Sequence, residues 1–99
     1  MTTKTETELY GIRFKSAADL KLASQLLAET CAKVEPLFGK KRLKEVGMMR
    51  SDRNPGWIIE GQPGCGEYLI RFFLDSLRKA LGRDSFRVEV FKAEACALE

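Results

Sequence analysis

The chain contains no histidine among its 99 residues. Histidine is the commonest general base, the usual partner of a catalytic serine or cysteine, and the commonest metal ligand in proteins. Its absence argues against hydrolases that depend on it and against a metal centre, so we expect neither a metal ion nor a cofactor. We therefore expect a binding protein rather than an enzyme.

Cysteines are few, and long apolar runs are missing. Cys31, Cys65 and Cys96 are an odd number and lie far apart, without the close spacing of a zinc site or a disulfide framework. We expect them to be reduced thiols in the cytoplasm. No apolar run approaches the roughly 20 residues that cross a bilayer, and the polar first residues lack the apolar core of a signal peptide. We therefore expect a cytoplasmic protein with no membrane partner.

The composition is that of one small folded domain. Hydrophobic residues make up 44% of the chain and charged residues 31%, which is far from the composition of disordered chains. A chain of this length has room for one modest core. We expect a flexible tail over residues 1–7 and a single α+β domain over residues 8–97.

Alternating apolar and polar residues predict four strands, over residues 9–15, 43–50, 57–61 and 86–93. Helical spacing of apolar residues predicts helices over 17–35 and 67–81. The order βαββαβ is that of the ferredoxin-like arrangement, a four-stranded antiparallel sheet with both helices on one face. The side chains expected to face the helices are Tyr10, Ile12, Phe14, Trp57, Ile59, Phe86, Val88 and Val90. This fold hosts many unrelated functions, and the aromatic motifs of RNA-recognition domains are missing.

A basic segment over residues 40–53 holds six basic residues against two acidic ones. Clustered lysine and arginine attract phosphates, so the segment is a candidate site for an anion or a nucleic acid. The residues in question are Lys40, Lys41, Arg42, Arg50 and Arg53. Few aromatics accompany them, and a solvated sheet edge is the alternative interpretation.

A glycine-rich loop over residues 61–66 precedes the second predicted helix. The free N–H groups of a helix start favour an anion, so Gly64 and Gly66 are added to the candidate anion site. Cys65 lies at the same helix start, where a thiol pKa is lowered, and it is the one candidate nucleophile. The alternative is that the glycines only turn the chain, since no histidine, lysine or arginine is adjacent.

Apolar residues exceed what the predicted core needs. On the second helix the surplus is Tyr68, Ile70 and Leu74, and on the outer sheet face it is Leu9, Met49, Ile58 and Phe91. Surplus apolar surface on a small domain typically marks a contact surface. We therefore expect a binding or assembly module that forms a homodimer or docks on a protein partner. The alternatives are an anion or nucleic-acid binder and a small thiol enzyme centred on Cys65.

Overall fold

The computed structural model describes residues 6–61 and 63–94. These residues contain four strands and three α-helices. A short 3₁₀ helix, Arg83–Ser85, precedes the last strand. In chain order the elements are β1 (Glu6–Phe14), α1 (Ala17–Phe38), α2 (Lys40–Lys44), β2 (Met48–Ser51), β3 (Gly56–Glu60), α3 (Cys65–Leu81) and β4 (Phe86–Glu94). The predicted α+β class is confirmed.

The four strands form one antiparallel sheet in the order β2-β3-β1-β4. β2 and β3 form a hairpin, and a turn over residues 52–55 connects them. Tyr10 on β1 pairs with Ile59 on one side and with Val90 on the other. β1 begins at Glu6, two residues before the expected start of the domain. Within the described residues, no helix is long and apolar enough to span a bilayer.

One face of the sheet packs against α1 and α3 in a single hydrophobic core. Ile12 and Ile59 are fully buried there with Leu20 of α1 and Phe73 of α3. Of the eight side chains predicted to face the helices, seven are buried or pack against this core. The exception is Val90, which is exposed although it shares its face with Tyr10. Val90 lies on the edge strand β4, where the helices do not cover it.

α1 begins and ends with recognisable caps, but it is longer than predicted. The backbone N–H of Asp19 donates to Ser16 Oγ at 3.2 Å, so Ser16 is the N-cap of the helix. The helix then continues through Pro36 to Phe38, and Gly39 ends it with a φ of 90°. Proline removes one hydrogen bond of the last turn. The extra turn offsets this loss with a packing contact, because it places the centroid of the Phe38 ring 5.3 Å from that of the Tyr68 ring.

The second strand is shorter than predicted, and a helix replaces its first part. Residues 43–50 were expected to form a strand, but Lys40–Lys44 is helical and β2 begins only at Met48. Leu43 and Val46 explain the error. They lie three residues apart, a helical spacing, and both pack against the core, with Val46 N–H donating to Leu43 O at 3.2 Å. Val46 and Met48 also lie two residues apart, which fits strand alternation and explains why the sequence predicts a strand there.

α3 begins at Cys65, two residues earlier than predicted, and Gly82 ends it. Its buried residues are Cys65, Gly66, Leu69, Ile70, Phe73 and Leu77. The expectation that Ile70 lies on the surface is wrong, because Ile70 is in the core, whereas Phe72 is exposed. Residues two positions apart on a helix are rotated by about 200° around its axis, so Ile70 and Phe72 lie on opposite flanks of the buried stripe.

Candidate binding surface on the outer sheet face

The sheet face opposite the helices carries the four outer-face residues predicted from the sequence, and the strand register brings them together. Met49 pairs with Ile58 across β2 and β3. Leu9 pairs with Phe91 across β1 and β4 in the next row of the sheet. Gly11 lies between Ile58 and the β4 strand. Leu9, Met49, Ile58 and Phe91, which we name the outer apolar band, therefore run across all four strands.

The outer apolar band is open to solvent. Met49 is 66% exposed, Phe91 44% and Ile58 39%, while Leu9 is half-buried. A groove of about 200 Å³ runs along Ile58 and Phe91, and a second of about 350 Å³ runs along Leu9, Met49 and Ile58. The two grooves meet at Ile58. Exposed apolar residues at neighbouring positions are rarer on small proteins than scattered ones, and they mark contact surfaces.

Gly11 shapes the middle of this face. A Cβ atom at Gly11 would lie only 3.0 Å from Cε2 of Phe91, so a larger residue there would have to displace the ring. The missing side chain lets Phe91 reach across β1 toward the side of the sheet where Ile58 lies. Gly11 thus leaves the space in which Phe91 of the outer apolar band can approach Ile58.

Charged residues flank the band unevenly. On one side lie Arg13 and Arg87, which are register partners, and Arg13 Nε is 3.6 Å from Glu89 Oε1. Glu60 lies within the band, as the register partner of Leu9, and its Oε1 accepts a hydrogen bond of 3.0 Å from Gly47 N–H. Arg13 and Arg87 thus make the face basic beyond one edge of the band, whereas the carboxylates Glu60 and Glu89 lie in the two rows of the band itself.

The predicted surplus on α3 is a separate surface, because α3 packs on the opposite side of the sheet. Tyr68 is exposed and Leu74 is half-buried against the core. Ile70 is buried and so is not accessible to a partner. Phe72 was missed as a surface residue, although its angular position beside Tyr68 on the helix could have shown it.

The structure divides the predicted basic residues between two places. Lys40, Lys41 and Arg42 lie on α2 and are exposed. Arg50 lies on β2, where its Nε is 2.9 Å from Oδ1 of Asp52, and Arg53 lies in the following turn. The segment is therefore two groups of cations rather than one continuous anion site.

Cys65 does not have the environment predicted for a reactive thiol. It is buried, and burial raises its pKa, an effect that the nearby Arg42 guanidinium only partly opposes. Burial also raises the pKa of the half-buried Cys31, with a smaller contribution from Cys65. The prediction of a lowered pKa at Cys65 is wrong because the cost of desolvating the thiolate exceeds the effect of the helix start. Cys96 lies outside the described residues.

The start of α3 already holds a carboxylate. Glu67 Oε1 accepts a hydrogen bond of 3.1 Å from the backbone N–H of Gly64, in the manner of a helix capping residue. Gly66 is buried. The protein's own carboxylate therefore competes with any external anion for the N–H of Gly64. Within residues 6–61 and 63–94, no group of three or more histidine, cysteine, aspartate or glutamate side chains is placed to hold a metal ion.

Comparisons with protein-family models, with curated proteins and with solved structures gave no match to this chain. A functional assignment therefore depends on the chemistry of the surfaces described above.

Proposed function

We propose that the protein is a small assembly module that forms a homodimer by packing the outer sheet faces of two copies together. The observation that carries this proposal is the outer apolar band, which crosses all four strands and is open to solvent. A helix-covered sheet whose second face is also apolar gains free energy when that face is buried, at about 25 cal/mol per Å².

The fold favours this mode of association. We take the arrangement to be ferredoxin-like, as the strand order β2-β3-β1-β4 is the one expected for it. Such a domain has one sheet face covered by helices and one left free. Two free faces can pack as a sandwich with their strands within about 30° of each other.

The charge distribution supports a second copy as the occupant of the outer face. The face is basic at Arg13 and Arg87, beyond one edge of the band, and acidic at Glu60, in the row of Leu9 and Phe91. A two-fold axis that runs across the strands reverses one sheet relative to the other. With the axis at the row of Ile58, Glu60 of each copy would lie toward the row of Arg13 and Arg87 in its partner, so the face would be complementary to itself in both apolar and charged residues.

A pair of matched lysine substitutions tests the proposal. Ile58→Lys puts a charge in the centre of the band, whereas Leu22→Lys puts one on the solvent side of α1 at nearly the same exposure, 36% against 39%. Size-exclusion chromatography with light scattering should show a dimer for the wild type and for Leu22→Lys, and a folded monomer for Ile58→Lys. A wild type that stays monomeric at every concentration, or an Ile58→Lys variant that stays dimeric, would reject the proposal.

A further inference from the structure

A second surface forms where α1 ends, α2 follows and α3 begins. Three aromatic rings lie in sequence there: the Phe38 centroid is 5.3 Å from that of Tyr68, and the Tyr68 centroid is 5.8 Å from that of Phe72. Tyr68 is 46% exposed and Phe72 is 37% exposed. We name the three rings together with the cations of α2, Lys40, Lys41, Arg42 and Lys44, the aromatic corner.

Gly64 is the point at which the basic and aromatic parts meet. A Cβ atom built on Gly64 would lie 3.5 Å from Arg42 Nη2 and 3.7 Å from Phe38 Cε1. The guanidinium and the ring therefore flank the same glycine, and Tyr68 follows one turn later on α3. The sequence does not show this, because the basic segment holds few aromatics of its own.

The cations of α2 are available for a partner. Within the described residues, Lys40, Lys41, Arg42 and Lys44 make no ion pair, whereas Arg13, Arg50 and Lys79 are each paired with a carboxylate. None of the residues of α2 is fully buried. Four unpaired cations in five residues, beside two exposed aromatic rings, attract a ligand that is both acidic and apolar.

We propose that the aromatic corner binds an acidic amphipathic helix of another protein. Its apolar stripe would pack on Tyr68 and Phe72, which lie four residues apart on α3 and so present rings on one face. Its carboxylates would meet the cations of α2 at the edge of that contact. This site lies on the helix layer and does not depend on the dimer proposed for the outer sheet face.

An acidic helix fits the surface better than a nucleic acid does. Glu67, which accepts a hydrogen bond from Gly64 N–H, and Asp75 lie on α3 on either side of Tyr68 and Phe72 in sequence, so carboxylates accompany the rings along α3. A phosphate backbone repeats its charge at every nucleotide and would be repelled there. An amphipathic helix can place its carboxylates along one flank only.

Synthetic peptides test the proposal. The probe is a labelled peptide of about 15 residues, roughly four helical turns, with leucines at helical spacing and glutamates between them. A peptide of the same composition with the leucine stripe scrambled is the control, and an oligo-thymidine of similar charge tests the nucleic-acid alternative. Fluorescence anisotropy should show binding of the striped peptide that weakens as salt is added.

Three double variants locate the site. Lys41→Glu with Lys44→Glu should raise the Kd of the striped peptide at least tenfold, whereas Lys21→Glu with Lys33→Glu, two exposed lysines of α1, should leave it within about twofold. Tyr68→Ser with Phe72→Ser should also raise it at least tenfold. Circular dichroism checks the folding of each variant. If the Tyr68 and Phe72 variant unfolds, the Lys41 and Lys44 variant still tests the proposal.

Three results would overturn the proposal: equal binding of the scrambled peptide, unchanged binding by the Lys41 and Lys44 variant, or tighter binding of the oligo-thymidine through the same residues. Ile58→Lys should bind the striped peptide like the wild type. Its failure to dissociate the dimer would reject only the assembly proposal, so the two proposals can fail separately.

Discussion

The ring of Phe91 lies against Gly11 on the neighbouring strand, so closely that a Cβ atom at Gly11 would be 3.0 Å from Phe91 Cε2. The contact joins the edge strand β4 to the middle of the sheet on its outer face. Phe91 nevertheless remains 44% exposed. One side of its ring therefore packs within the monomer, and the other side is open to solvent.

Phe91→Ala should separate these two roles. A cross-strand aromatic contact contributes about 0.2–1 kcal/mol, so the free energy of unfolding of the monomer should fall by no more than about 1 kcal/mol. The dimer should weaken at least tenfold, because the ring lies in its proposed interface. Urea denaturation and sedimentation equilibrium measure the two effects. A loss of several kcal/mol from the monomer would show instead that the ring belongs to the core.

Leu77→Ala tests the packing of α3 on the sheet. Leu77 is fully buried, so its truncation should cost about 2–5 kcal/mol through lost burial and a cavity. Leu37→Ala, at an exposed position near the end of α1, should change stability by less than about 0.5 kcal/mol. Both are measured by chemical denaturation, and equal costs for the two leucines would contradict the described core.

Cysteine alkylation should follow burial. In a Cys96→Ser background, Cys31 should react faster than Cys65, since Cys31 is half-buried whereas Cys65 is in the core. The raised pKa of both thiols reduces the thiolate fraction at neutral pH, so both should react slowly until the pH rises. Mass spectrometry of timed samples measures the rates. Faster labelling at Cys65 would show that the start of α3 opens in solution.

Stability should decrease at alkaline pH. The folded state raises the pKa of Cys31 and Cys65, chiefly by burial, and therefore holds their protons more tightly than the unfolded state does. Their contribution is complete below the pKa of the unfolded thiols and is lost as pH rises through the folded value. The Tm should thus fall between about pH 8 and pH 10, and less steeply for Cys31→Ala with Cys65→Ala. Equal slopes in the two proteins would contradict this assignment.

Strand alternation predicted β1, β3 and β4 well because its signal is local. Tyr10, Ile12 and Phe14 alternate with polar residues and glycine, and the same period places Ile58 and Phe91 on the outer face. Val90 shows the limit of this signal. Period two assigns a face to a residue, but whether a helix covers that face depends on where the helix lies.

The end of α1 and the aromatic corner could not be predicted, because they depend on contacts between distant residues. Proline at position 36 normally favours an end to the helix, yet Phe38 packs on Tyr68 and the helix continues. Burial similarly determined the pKa of Cys65, whereas the sequence showed only its place before a helix. The proximity of Arg42 and Phe38 at Gly64 is also a tertiary contact.

The central claim is that the outer faces of two copies pack together, and an isotope-filtered NOE experiment on a mixture of labelled and unlabelled protein tests it most directly. The account predicts intermolecular NOEs that involve the methyl groups of Ile58 and Met49 and the ring of Phe91. A monomer without such NOEs, or a dimer whose intermolecular NOEs arise from Tyr68 and Phe72 instead, would contradict it.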